Sequence, residues 1–327
     1  MIKVMNLEKN LLQEIIHEFN GLEVKNAYAW LLNNKLDLTG ERLRLWKSKV
    51  KKILPLLEKS DINYVLIKAF DVPFARMDDF DLLIEDAHDI LKTVNILKSL
   101  DYNVLGLRGF YPFKLTATKP KDLIDVDIYY KPKWYDYTYA PINFISKLKI
   151  RDFVHDIEAF LPPPDLNIYI VATHGYSHGR ITLEEIIHII NILVKKKPDL
   201  RQLIFLATKF HTSHVLFCYL KIASLILEYF GYNDQPYLKE ILVYFMKNEY
   251  LIKYFDKWIN KVSPIKFKNF PISFPFRLVI FSGMTKPFDS RIDPSVMKFD
   301  ELLTSSRNYW FTKFILTQIS SKLIFQV

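Results

Sequence analysis

The stretch Arg76-Met77-Asp78-Asp79-Phe80-Asp81-Leu82-Leu83-Ile84 decides how the rest of the chain is read. Alternate residues of an extended strand point to the same face, so Asp79 and Asp81 stand side by side while Phe80 and Leu82 turn to the core. Pairing through Asp78 instead would bring Phe80 onto the acidic face and lose the alternation. A second pair, Asp125 and Asp127, repeats the pattern in Leu123-Ile124-Asp125-Val126-Asp127-Ile128-Tyr129. Carboxylates crowded in strands repel one another, and strands disfavour them. Cations offset that repulsion, and two divalent metals held by shared carboxylates are a usual arrangement for moving phosphoryl or nucleotidyl groups.

Around these runs the texture divides in three. Residues 6 to 59 have helical spacing, with Leu7, Leu11, Ile15 and Phe19 in one segment and Leu43, Trp46, Val50, Ile53 and Leu57 in another. From Asn63 short β-type runs follow, Tyr64 to Ile67 and Asp79 to Ile84, then a helix over Ala87 to Leu100 and strands near 102–107, 113–118 and 123–130. Leu161-Pro162-Pro163-Pro164-Asp165 breaks the chain, because three prolines forbid a continuous helix. Beyond it helices are expected from Thr182-Leu183-Glu184-Glu185, a capping-box sequence, to Val194, and at 200–210, 215–230, 237–247 and 301–323. The stretch 263–294 has no clear period. The expected class is α+β, with an N-terminal helical segment (1–60), a small mixed-sheet core (61–160) and a mostly helical C-terminal domain (161–327).

Half of the 327 residues are hydrophobic, enough for a sizeable core, and the formal charge of +9 favours an anionic partner without identifying one. Cys218, the single cysteine, sits in an apolar run and reads as a core residue, which fits a reducing, cytoplasmic setting. The N-terminus turns charged at once and lacks the apolar segment of a signal peptide, and the apolar runs are too short or too polar to span a membrane.

The order of strand, short loop, Asp-Phe-Asp strand, helix, hairpin and Asp-bearing strand resembles the nucleotidyltransferase superfamily related to DNA polymerase beta. More closely, it is similar to an uncharacterised nucleotidyltransferase family with strand-Lys-Gly, Asp-x-Asp and Val-Asp-Leu-His-Trp motifs, in an archaeal-type branch. The matching pieces are Val65-Leu66-Ile67-Lys68-Ala69, Asp79 to Ile84 and Val126-Asp127-Ile128-Tyr129-Tyr130, followed by the proline segment and the His174 region, over roughly residues 60 to 230. Two places depart from that pattern. Ala69-Phe70 stands where many superfamily members have Gly-Gly or Gly-Ser, and a Cβ there limits backbone approach to phosphates. Tyr129-Tyr130 replaces His-Trp.

The resemblance implies that Asp79 and Asp81 hold two magnesium (or manganese) ions and that Asp127, in preference to Asp125, completes one of them. It implies transfer of NMP from an NTP to a hydroxyl on RNA, especially a tRNA end, a protein or a small molecule. Lys68, Arg76 and the backbone at Ala69 border the loop that would meet the triphosphate. The alternative is a degenerate member that kept the fold as a nucleic-acid or partner-binding module. His174 and His178, four apart, suggest zinc, but the Glu of a His-Glu-x-x-His motif is missing, and the resemblance places them in interdomain hydrogen bonding, as it does Arg180. Lys131 to Tyr139 alternates basic and aromatic residues; base stacking is one reading and an aromatic loop buried on the helical domain the favoured one.

Overall fold

A computed structural model describes residues 37, 39–73, 75–105, 114–130, 133–134, 137–138, 142–177, 180–196, 198–210, 212–232 and 236–247, with isolated positions at 10, 13, 35, 252, 278 and 279. By its contacts the chain divides into Met1–Val279 and Ile280–Val327, and every described residue lies in the first unit. The helices expected at 7–19 and 301–323 lie outside the described residues, as do the side chains of Lys131 to Tyr139, His178 and Arg180.

Helix α1 (Glu41–Lys59) starts at Gly40, whose φ of 69° is the left-handed conformation that glycine adopts without penalty. Just ahead of it, Asp37 accepts from the Arg42 N–H at 2.9 Å and from the Thr39 N–H at 3.0 Å. Arg42, Trp46 and Lys49 fall on one helical face. They donate to Leu123 O (3.1 Å), Asp79 O (3.1 Å) and Ile124 O, so the helix seats itself on the ends of the two acid-bearing strands.

Those strands belong to a five-stranded mixed sheet of order β1-β2-β5-β4-β3, built from β1 (Tyr64–Ile67), β2 (Asp79–Ile84), β3 (Asn103–Leu105), β4 (Lys114–Thr118) and β5 (Asp125–Tyr129). Helix α2 (Ala87–Ser99) follows β2, capped by the Asp86 carboxylate on the N–H groups of His88 and Asp89. Only β2 and β5 are parallel; the other pairs are antiparallel. Phe80, Leu82, Val126 and Ile128 are fully buried, and Trp46 meets Phe80 edge-on at 6.4 Å.

A feature the sequence reading did not anticipate is the hairpin β8 (Ile150–Val154) and β9 (Ile157–Leu161); between β5 and it lie two-residue strands β6 (Lys133–Trp134) and β7 (Tyr137–Thr138) and helix α3 (Ile142–Leu148). The hairpin turns at His155 and Asp156, with φ of 47° and 63°. Two left-handed residues make the tight turn that matches strand twist, normally signalled by Asn-Gly or Asp-Gly. Without glycine the signal was silent.

Beyond the prolines come α4 (Pro164–Ser177), the two-residue strand β10 (Arg180–Ile181), α5 (Leu183–Lys195), α6 (Leu200–Lys209), α7 (Ser213–Tyr229) and α8 (Pro236–Met246). The expected capping box forms: Thr182 Oγ1 accepts from Glu185 N–H at 3.3 Å and Glu185 Oε2 from Thr182 N–H at 2.9 Å. The chain is thus α+β, a mixed sheet with helices on either side of it in sequence. No described helix is long and apolar enough to cross a membrane.

Gly175 shows how tightly α4 meets its neighbours. A Cβ there would lie 2.1 Å from the Tyr219 hydroxyl and 2.6 Å from both Glu185 carboxylate oxygens, which are themselves hydrogen-bonded at 2.8 Å. Ala is the better helix former by about 1 kcal/mol, but overpacking a buried contact costs about 1–3 kcal/mol and here also disturbs a cap. Gly175→Ala is therefore expected to lower stability by about 2 kcal/mol in urea titration. An unchanged or higher midpoint would mean that the three elements are not closely packed.

Candidate active site: an acidic face with two built-in ammonium groups

Parallel pairing sets Asp79 opposite Asp125 and Asp81 opposite Asp127. Partners on adjacent strands share a face, so the two pairs, each in phase by alternation, lie together. Asp81 and Asp127 are deepest, at 5% and 2% exposure, while Asp79 and Asp125 sit nearer the rim. Asp127 is held by the neighbouring strand β4: Thr116 Oγ1 donates to its Oδ1 at 2.6 Å and the Lys114 ammonium contacts Oδ2. Asp81 is met by Lys68, whose Nζ lies 2.7 Å from Oδ1 and donates to the Tyr129 hydroxyl at 3.0 Å. The Lys68–Asp81 contact is a buried, charge-assisted pair and the one direct cationic partner of Asp81 among the described residues.

Lys68 reaches this position from a left-handed backbone, φ 54°, immediately after β1. That conformation is uncommon for a bulky residue and costs on the order of 1 kcal/mol. His174 on α4 brings Nε2 to 3.4 Å from the same ammonium, so the helical region does contribute a hydrogen-bonding partner to the sheet, as expected for this histidine. It makes no approach to a zinc-type site: among the described residues, no three His, Cys, Asp or Glu side chains are arranged to hold a metal ion.

The face is electrostatically loaded. The Asp81 carboxyl is raised to about 6, chiefly by burial, with Lys68 pulling down and Asp79 and Asp127 pushing up. Asp79 is likewise raised by burial and by Asp127, and Asp125 by burial and by Asp79. Burial works to lower the Lys114 ammonium, but Asp127, with Asp81 and Asp79 behind it, raises it on balance. With all groups ionised, four carboxylates against two ammonium groups leave the face net negative.

The loop after β1 is spoken for elsewhere. The Asp71 N–H donates to His188 Nδ1 at 3.0 Å, Asp71 O accepts from Asn191 Nδ2 at 2.7 Å, and Phe70 O accepts from His155 Nε2 at 2.6 Å. Ala69 is buried and lines a small cavity with Asp71, Asn167, His188 and Asn191. Arg76, at the loop's far end, donates through Nε to Asp78 at 2.9 Å. Of the residues singled out in the sequence, the structure thus brings Asp79, Asp81, Asp125, Asp127 and Lys68 together and sets Ala69 and Arg76 apart from them. Sequence reasoning missed Lys114 and Thr116, whose only signal was their in-phase spacing on β4, and it missed the histidines on the loop.

No family model matches the chain, and no curated protein is significantly similar to it in sequence. Among solved structures it is similar to an antigenic nucleotidyltransferase-like protein from Paracoccidioides brasiliensis, at 17% identity and a TM-score of 0.30, covering 52% of this chain and 91% of that one. A likeness of that degree carries no argument about this chain.

Proposed function

We propose that this chain is a metal-dependent nucleotidyltransferase that moves NMP from an NTP to a hydroxyl acceptor. The observation that carries the reading is the parallel register of β2 and β5, which gathers four aspartates on one face, two of them buried. Carboxylate oxygens suit a hard divalent cation, magnesium or manganese, and Asp79, Asp81 and Asp127 would hold it after Lys68 and Lys114 give up Asp81 and Asp127, since as they stand no three of these side chains are arranged around an ion. Bound there, the cation supplies charge neutralisation for the transferring phosphoryl group and acidifies the acceptor hydroxyl.

The chain's own groups do the rest. Thr116 and Lys114 fix the Asp127 rotamer, so that carboxylate needs little reorganisation. Lys68, braced by Tyr129 and beside His174, is placed to exchange Asp81 for a phosphate oxygen once the acid is otherwise neutralised. The acceptor hydroxyl attacks the α-phosphorus in line, the bond to the bridging oxygen breaks, and pyrophosphate leaves; no protein nucleophile is needed. The basic chain favours an anionic acceptor, for which RNA is the candidate to try first.

One observation favours a second reading. Lys68 and Lys114 already stand as counter-ions to Asp81 and Asp127, and the loop spends its backbone on the helical region, as suits a binding module that retained the fold. Calorimetric titration of each NTP with Mg²⁺ or Mn²⁺ into the wild type and an Asp79→Asn/Asp81→Asn variant separates the two. Heat that requires metal and is confined to the wild type supports transfer. A folded wild type with no metal-dependent heat supports the binding module.

A further inference from the structure

Three cations converge on one carboxylate at the edge of the acidic face. Arg42 Nη1 lies 2.7 Å from Asp78 Oδ1, Arg76 Nε 2.9 Å from the same oxygen, and Lys35 Nζ 3.9 Å from Oδ2. The backbone brings them together: Arg76 N–H donates to Lys35 O at 2.8 Å, and the Asp37 cap fixes Arg42 at the start of α1. Asp78 offsets one of the three charges directly, and Asp37 near Arg42 and Asp79 near Lys35 offset part of the rest. Among the described residues, the Arg76 Nη1 and Nη2 groups, Arg42 Nη2 and the Lys35 ammonium make no hydrogen bond, although these side chains are only 22–24% exposed. Guanidinium and ammonium donors held this way suit an oxyanion.

The position fits the same ligand. Asp78 directly precedes Asp79, and Lys35 is close enough to draw the Asp79 carboxyl downward against its burial. The Asp71 N–H, a donor that a phosphate-cradling loop would offer, is taken by His188, and Ala69 carries a Cβ. Any anion at this end of the sheet is therefore met by side chains.

We propose that Lys35, Arg42 and Arg76, gathered on Asp78, form an oxyanion site for a phosphoryl group, filled in turnover by the pyrophosphate end of the nucleotide. The oxyanion site rests on the charges alone; its assignment to a nucleotide rests on the transferase reading. The probe is pyrophosphate, titrated by calorimetry in EDTA. Arg76→Gln and Arg42→Gln are each expected to weaken it on the order of tenfold. Asp78→Asn, which removes the competing carboxylate, is expected to tighten it, the reverse of what a purely structural ion cluster predicts. Should pyrophosphate fail to bind the folded wild type, or should Asp78→Asn not tighten it, the site is overturned. A single-stranded oligonucleotide that loses affinity in Arg76→Gln and Arg42→Gln while pyrophosphate does not would overturn the nucleotide assignment in favour of a strand phosphate. Because these titrations contain no metal, a protein that passes them yet shows no metal-dependent NTP heat keeps the oxyanion site and loses the transferase reading.

Discussion

Asp81→Asn is expected to slow metal-dependent nucleotidyl transfer by a factor on the order of 10³ and, at pH 7 without metal, to make the protein more stable. The activity loss follows from taking a negative oxygen out of the centre of the face. The gain in stability follows from proton linkage. The Asp81 pKa rises from 3.8 to about 6 on folding, so the folded state holds the proton more tightly. The associated stability is present below pH 3.8 and is lost as pH rises through about 6. At 1.36 kcal/mol per unit, ionised Asp81 costs the metal-free fold about 3 kcal/mol at pH 7. Asparagine resembles the protonated acid, and Lys68 keeps the charges of Asp79 and Asp127 nearby. Thermal melts in EDTA from pH 4 to 8 should show the variant gaining on the wild type as pH rises through about 6, since His188, Asp79 and Asp125 titrate in both proteins and cancel in the difference. A variant less stable than wild type at pH 7 with an unchanged pH profile would refute the account.

The second large effect concerns His188. Its Nδ1 accepts the Asp71 N–H, so in the neutral ring Nε2 carries the hydrogen and faces Asn167 Oδ1 at 3.5 Å. Burial lowers its pKa from 6.5 to about 3. The neutral imidazole is therefore what the fold requires. Its contribution is complete above pH 6.5 and is lost as pH falls towards 3, at about 1.4 kcal/mol per unit. His188→Leu should cost about 2 kcal/mol at pH 7, because Asp71 N–H loses its acceptor in a buried setting. Between pH 6.5 and 5, however, the variant should lose about 2 kcal/mol less than the wild type. Urea titrations at the two pH values measure both terms. Equal acid sensitivity in the two proteins would mean that His188 is not the proton-linked group.

The acids were legible in the sequence because a two-residue period fixes their phase. Asp79 with Asp81 and Asp125 with Asp127 each had to share a face, although nothing local said that the two strands are parallel and in register. The capping box at Thr182 and the helix carrying Trp46 and Val50 were legible for the same reason, local spacing. What stayed hidden depends on contacts between distant residues. Arg76 read as a loop charge that could meet a triphosphate, but nothing local showed that it sits on Asp78 beside Arg42 and Lys35. Lys114 and Thr116 acquire meaning only once β4 lies against β5. The hairpin that delivers His155 to Phe70 turns on two left-handed residues whose types do not announce it.

The fastening of Phe70 and Asp71 from three sides, by His155, His188 and Asn191, also bears on how a substrate gets in. A segment tied through its own backbone has little freedom to swing, so it works as a fixed wall and not as a flap. Under the proposed function, the bed for the nucleotide is then shaped before the nucleotide arrives, with little ordering entropy left to lose on this side. Choice among nucleotides would fall to the contour of a rigid mould, and turnover would not wait for this segment to open.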